Sequence, residues 1–258
     1  MKIALIGSGN VAAAIGKLAL QSGNEVQMIL GRSEASAHAL ASMLNCNYTL
    51  DPNHLVQTAD IYIIAIQDRE IKTLLSALSI PDSAIVVHTA GGVSIDVFKN
   101  IFKNYGVLYP LQSLRKEQAK VPLIPFFLDA NNQTTKELLM NFAGGLTRQV
   151  YFAGDEQRMK LHIAAVFCSN FTNYLYAVAA DYCETEQIDF QSLIPLIGET
   201  AARLGTISPV DAQTGPAARK DLPTIEKHLL ELNHQGHVEA EHVYSFLTHQ
   251  IMASQVLK

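Results

Sequence analysis

Met1–Gly23 reads MKIALIGSGNVAAAIGKLALQSG, and the order of its parts decides the fold. Lys2–Ile6 is an apolar run long enough for a strand buried on both faces. Gly7-Ser8-Gly9-Asn10-Val11-Ala12 follows, and then an Ala-rich segment (Ala13, Ala14, Ile15, Leu18, Ala19) with helical spacing. Strand, glycine turn and helix in that order are the context a dinucleotide fingerprint needs. Gly7 permits the tight turn, Gly9 lets the backbone approach a pyrophosphate, and Ala12 in the third-glycine position keeps helix and strand close. The helix N-terminus offers unpaired N–H groups and a partial positive charge to the phosphates. Ser8, Asn10 and Val11 complete the turn and count with Gly7 and Gly9 as cofactor-binding candidates. The bland alternative is a tight turn that holds no ligand.

Outward from that stretch, Glu25–Leu30 reads as a second strand and Gly31-Arg32-Ser33 follows it. An NAD site puts an acid at the end of this strand for the ribose 2′-hydroxyl, whereas an NADP site has a basic group there for the 2′-phosphate. Here the strand ends in Leu30, and Arg32 offers a guanidinium that can hold a phosphate bidentately. Ser33 can add a hydroxyl while capping a helix over Glu34–Leu44; Glu34 could favour a ribose diol instead, and Arg32 could be a solvated loop residue. NADP is the expected cofactor.

Asn47–Leu50, Ile61–Ile66 and Ala84–His88 read as further strands. The run Ile61–Ile66 ends at Gln67-Asp68, so Ile66 and Gln67 meet the ligand crevice while Asp68 caps a helix over Arg69–Leu78. The fifth strand ends in His88-Thr89-Ala90-Gly91-Gly92, with Thr89 and Ala90 also placed at the cofactor. Val107–Leu111, Ile124–Asp129 and Thr147–Phe152 are short strands, with a helix over Gln133–Phe142. After Phe152 the spacing is helical throughout: Asp155–Tyr182, Phe190–Leu204, Leu222–Leu232 and His237–Leu257. The expected fold is α/β, a Rossmann-type doubly wound parallel sheet over residues 1–153 followed by an all-helical domain over 154–258.

The 258 residues are 48% hydrophobic and 17% charged, as in an ordinary globular protein. A net charge of −5 with no Lys/Arg run argues against a nucleic-acid partner. Cys46, Cys168 and Cys183 are scattered, which fits reduced thiols in a cytoplasm. Gly7–Asn10 interrupts any signal-peptide core, and Ser169, Asn170, Thr172 and Asn173 interrupt the apolar stretch His162–Tyr182, so a buried helix explains it better than a membrane span. The histidines of the tail (His228, His234, His237, His242, His249) lack a complementary ligand set, so no metal is expected.

With those residues laid out, the chain resembles the superfamily of two-domain NADP-dependent reductases that includes pyrroline-5-carboxylate reductase, ketopantoate reductase and 6-phosphogluconate dehydrogenase. GSGNVA, GRS and AIQD match that pattern, and HTAGGVS at 88–94 is similar to the Ala-Gly loop beside the nicotinamide of pyrroline-5-carboxylate reductase. More closely, the chain resembles a bacterial family of NADP oxidoreductases whose Rossmann-like half precedes a helical domain of unassigned function. Tyr109-Pro110-Leu111-Gln112-Ser113, the segment from Leu161-His162 to Ser169-Asn170-Phe171, and Thr214–Asp221 (TGPAARKD) carry that likeness over the full length. The resemblance implies fold and cofactor but no substrate. Lys160 has Ala164 one turn on, so the Lys/Asn pair of the 6-phosphogluconate dehydrogenase-like enzymes is not intact.

Hydride transfer to a carbonyl or imine needs a donor to the developing anion in a preorganised polar pocket. His162 suits the acid/base role because imidazole titrates near neutrality, against a core histidine satisfied by a backbone carbonyl. Asn170, eight residues on, falls within about 80° of it by the 3.6-residue period, and could orient substrate or bond a neighbouring helix. His88 ends a strand at the nicotinamide edge and is the third catalytic candidate. Arg219 suits a substrate carboxylate or phosphate, unless it pairs with Asp221, and Gln112 and Ser113 join it as substrate-binding candidates. Lys160 is expected on the surface and Cys168 in packing. The expectation is an NADP-dependent oxidoreductase acting on a small anionic carbonyl or imine compound, as a homodimer through the helical domain. A non-catalytic NADP sensor or scaffold is the alternative, and reduction of a deazaflavin or another electron carrier is a third reading.

Overall fold

The structure, a computed structural model, describes residues 1–118, 120–234 and 236–254. It consists of two compact units, Met1–Phe167 and Cys168–Lys258. The division falls later than the expected 153/154 boundary.

The first unit is built on an eight-stranded sheet: β1 (Lys2–Ile6), β2 (Glu25–Leu30), β3 (Asn47–Thr49), β4 (Ile61–Ile64), β5 (Ile85–His88), β6 (Asn104–Pro110), β7 (Phe126–Ala130) and β8 (Val150–Phe152). The strand order is β3-β2-β1-β4-β5-β6-β7-β8, parallel everywhere except between β6 and β7. The chain reverses direction from β1 between β3 and β4, the switch point at which such sheets open a crevice. Helices α1 (Asn10–Gln21), α2 (Glu34–Leu44), α3 (Asp68–Leu75), α4 (Gln133–Leu146) and α5 (Asp155–Ala165) complete the unit. Successive residues of β1 feed opposite cores: Ile3 and Leu5 join Ile15, Ile29 and Leu44, whereas Ala4 and Ile6 join Tyr62, Ile71 and Phe98. A sheet buried on both faces explains why its strands are apolar without alternation.

Several element ends shift from expectation. β4 stops at Ile64, and the N–H of Ala65 turns to donate to Ile6 O at 2.7 Å. Asp68 is the first residue inside α3 and not its cap; Gln67 holds that position. α4 runs on to Leu146, which confines β8 to Val150–Phe152.

α5 stays with the first unit because Arg158 is fully buried there. Its guanidinium pairs with Asp155 at 2.5 Å and Asp129 at 3.6 Å, and donates to Val93 O at 2.6 Å and Ala153 O at 3.2 Å.

The second unit contains α6 (Thr172–Thr185), α7 (Ile194–Arg203), α8 (Pro216–Arg219), α9 (Leu222–His234) and α10 (Val238–Ser254), with no strand among the described residues. The expected end of the last helix, Leu257, lies outside the described residues. Between α5 and α6, Val166–Phe171 forms a π-helical turn, so the 3.6-residue period assumed between His162 and Asn170 does not hold there. Cys183, Ala217, Ile225 and Thr248 are the buried residues of this unit among those described, while Phe171, Tyr174, Leu175, Ile194, Leu196 and Phe246 are exposed. By length and composition Asp155–Thr185 could cross a membrane, and none of its most apolar window is buried within the chain. The expectation of a buried helix over His162–Tyr182 is thereby corrected.

Candidate functional site

The turn from β1 into α1 is shaped by Gly7. Its φ is +120°, and an added Cβ would stand 2.2 Å from Ala65 O, so no side chain fits. The Gly7 N–H donates to Leu30 O at 2.8 Å, which binds the turn to the end of β2. Gly9 precedes the first helical residue, and nothing lies within 4 Å of where its Cβ would be, so the backbone there is open. A cleft of about 1030 Å³ begins at this turn and follows the carboxyl ends of β1, β2 and β4. Gly7, Ser8, Gly9, Asn10, Val11, Arg32, Ser33, Ile66, Gln67 and Thr89 all border it. Ala90 does not border it and is buried.

Local bonds hold this rim in shape. Asn10 Oδ1 accepts from the Lys116 N–H at 3.1 Å, and Ser8 Oγ and Ser36 Oγ lie 2.8 Å apart. Ser33 stands at the start of α2 but makes no side-chain cap bond, contrary to expectation. Arg32 Nη1 meets Glu70 Oε1 at 2.5 Å, so the acid near the guanidinium comes from α3 and not from Glu34. Sequence reasoning missed Ser36, Arg69 and Glu70 as bordering residues, because α2 and α3 bring them to the cleft in space. The open backbone at Gly9, the N-terminus of α1 and a guanidinium farther along fit a dinucleotide with an additional phosphate.

A second polar group lies past the end of β5. Tyr109 Oη and His162 Nδ1 are 3.1 Å apart, with ring centroids separated by 6.1 Å. Gly91 makes the approach possible: a Cβ there would fall 2.8 Å from Tyr109 Cζ and 2.9 Å from His162 Nδ1. Burial raises the Tyr109 pKa, and the Asp68 charge adds to it, against the opposing pull of Arg158. Tyr109 therefore keeps its hydroxyl proton at neutral pH. Sequence reasoning used Tyr109 only as part of YPLQS. Its signal was a hydroxyl near the carboxyl-terminal end of the strand, following the apolar pair Val107-Leu108.

His88 is placed differently. It is fully buried against Phe98, and its Nδ1 accepts from the Ala90 N–H at 3.3 Å. Burial, with the Arg158 charge adding to it, pushes its pKa down to about 4, against the Ser94 backbone and Asp155. His88 is neutral at pH 7, and, fully buried, it does not border the cleft, against its expected place as a catalytic residue at the nicotinamide edge.

Of the other candidates, Gln112 donates to Leu123 O at 3.0 Å and accepts the Ser113 N–H at 2.9 Å, which commits its amide to the loop. Ser113 is exposed. Asn170 lies exposed in the π-helical turn, where its amide needs no buried partner. Arg219 is the exposed last residue of α8; hydrogen bonds from Thr224, with the Arg219 charge adding to them, hold the Asp221 carboxyl below its ordinary value. Lys160 pairs with Glu156 at 2.5 Å on the surface. Cys168 is exposed and not packed. His237 meets Glu186 at 2.8 Å and His228 meets Tyr244 at 2.8 Å.

Comparison with known proteins bears on the fold and the cofactor. Residues 2–92 match the family model described as NADP oxidoreductase coenzyme F420-dependent, and residues 124–251 match a domain of unknown function, DUF2520. No curated protein matches in sequence. Among solved structures, BF3122 of Bacteroides fragilis, described as a "putative NADP oxidoreductase", is 35% identical over 98% of both chains, with a TM-score of 0.92. A 1-pyrroline-5-carboxylate reductase from Streptococcus pyogenes is 17% identical over 98% of both chains, at a TM-score of 0.65. A reductive aminase from Aspergillus terreus, in complex with NADPH and ethyl-5-oxohexanoate, is 13% identical over 98% of this chain and 94% of its own, at 0.70. The last two share the fold alone.

Proposed function

The chain belongs to the NADP oxidoreductase family of BF3122 and takes NADP as its cofactor, and from that premise we propose that it transfers a hydride between NADP(H) and a small anionic carbonyl or imine compound. The observation that carries this reading is the Tyr109–His162 hydrogen bond against Gly91, just past Thr89 at the border of the dinucleotide cleft. Bound NADPH supplies the hydride. The protein must then orient the substrate and stabilise the developing charge. The Tyr109 hydroxyl and His162 Nδ1 share one hydrogen bond, and burial keeps the phenol protonated. His162 is the acid/base, and Tyr109 is the positioning residue that holds its ring. His88 supports the Ala90 backbone instead of transferring a proton.

An imine is the favoured substrate class, because 1-pyrroline-5-carboxylate, in one fold neighbour's name, is a cyclic imine bearing a carboxylate. Exposed Leu175, Leu196 and Phe246 support a homodimer through the helical unit. The test is a panel of cyclic imines, 2-oxo acids, aldehydes and a deazaflavin with NADPH. His162→Ala lowers kcat by about 10²–10⁴-fold and leaves NADPH affinity unchanged. Unchanged turnover removes the assignment, and silence across the panel with tight nucleotide binding makes the protein an NADP sensor.

A further inference from the structure

Arg32 and Glu70 reach one another from different elements, the loop after β2 and the first turn of α3, and both border the dinucleotide cleft. The charged residues at its border are Arg32, Arg69 and Glu70, among the described residues. The end of β2 carries no acid, since Leu30 and Gly31 stand there. A carboxylate nevertheless lies beside the guanidinium assigned to the 2′-phosphate, delivered by α3. We propose that Glu70 is a cofactor-specificity residue: it holds Arg32 in an ion pair that the 2′-phosphate must break, and so lowers the preference for NADPH over NADH. This inference rests on Arg32 being the ligand of that phosphate.

The pair is exposed, with 81% of the Arg32 side chain and 34% of the Glu70 side chain open to solvent. Such pairs are weak in water, so a phosphate carrying more than one negative charge displaces the carboxylate. The displaced carboxylate remains tethered to α3, within the screening length of about 8 Å at physiological salt. NADPH therefore loses affinity both by competing for Arg32 and by leaving Glu70 without its cation. NADH has no phosphate there and leaves the pair intact.

Titration of the full chain with NADPH and with NADH, read by nucleotide fluorescence, tests this on wild type, Glu70→Gln, Arg32→Gln and the double variant. Glu70→Gln tightens NADPH about three- to tenfold and leaves NADH as it was. Arg32→Gln weakens NADPH about tenfold, and in that background the gain from Glu70→Gln shrinks because its partner is gone. If Arg32→Gln weakens NADPH but Glu70→Gln changes nothing, the proposal is overturned and the phosphate role of Arg32 stands. An equal gain in both backgrounds also overturns it, since Glu70 then acts on the phosphate without Arg32. NADPH binding untouched by Arg32→Gln removes the proposal and the phosphate assignment together. Both side chains are on the surface, so unchanged melting temperatures are expected for all three variants.

Discussion

His88 illustrates how burial rewrites the chemistry of a residue. In the unfolded chain its imidazole takes up a proton near pH 6.5, in the folded chain near pH 4. Between those values the unfolded state binds more protons, so the stability contributed by neutral His88 is whole above the unfolded pKa and lost as pH falls through the window. The loss amounts to about 3 kcal/mol once the folded group is also protonated. His88→Leu should flatten that slope in denaturant titrations run at several acidic pH values; an unchanged slope would assign it to another group. At Gly7 the constraint is steric. Gly7→Ala drives a methyl onto the Ala65 carbonyl, and a loss of NADPH binding together with a lower melting temperature is expected. Gly7 was legible because strand, glycine turn and helix are contiguous in the chain. Tyr109 and Glu70 were not, because their partners lie 53 and 38 residues away.

Among the elements, α5 shows most clearly how one side chain decides where a helix belongs. Its helical spacing was readable, but nothing in the sequence told that Arg158 would be fully buried against Asp129 and Asp155. Burial raises the Asp155 pKa, but the hydrogen bonds from Ser94 and Ile95 and the Arg158 charge outweigh it and hold the carboxyl below its ordinary value. Arg158→Met removes the shared cation from two partly exposed carboxylates, and denaturant unfolding should show a loss of roughly 2–4 kcal/mol. Lys160→Ala, two residues on, removes only an exposed pair with Glu156 and should change stability by less than about 0.5 kcal/mol. The difference comes from solvent exposure. The α3 start was misread by one residue because Asp68 suits both a cap and a first turn, where its charge also favours the helix N-terminus.

For the whole molecule, the two units differ in how they bury apolar surface. The first has a core on each face of its sheet, whereas the second leaves Leu196 64% and Phe246 63% exposed. Apolar residues exposed in this way are what the proposed homodimer would cover. Sedimentation should give twice the 28.2 kDa chain mass, and Leu196→Asp should shift the protein toward the single-chain value. A monomer at micromolar concentration would remove the homodimer from the proposed function.

The sequence by itself determined the parallel sheet, the glycine turn at its switch point and the basic residue after β2, because each is written in contiguous residues whose period or backbone geometry admits few alternatives. Only the tertiary structure decided that His88 is buried and neutral, that Tyr109 sets its hydroxyl on His162, and that Glu70 holds Arg32. Those facts depend on which side chains distant segments bring within a few ångströms of one another. Packing of the sheet, α3 and α5 fixes such distances, and no local pattern encodes them.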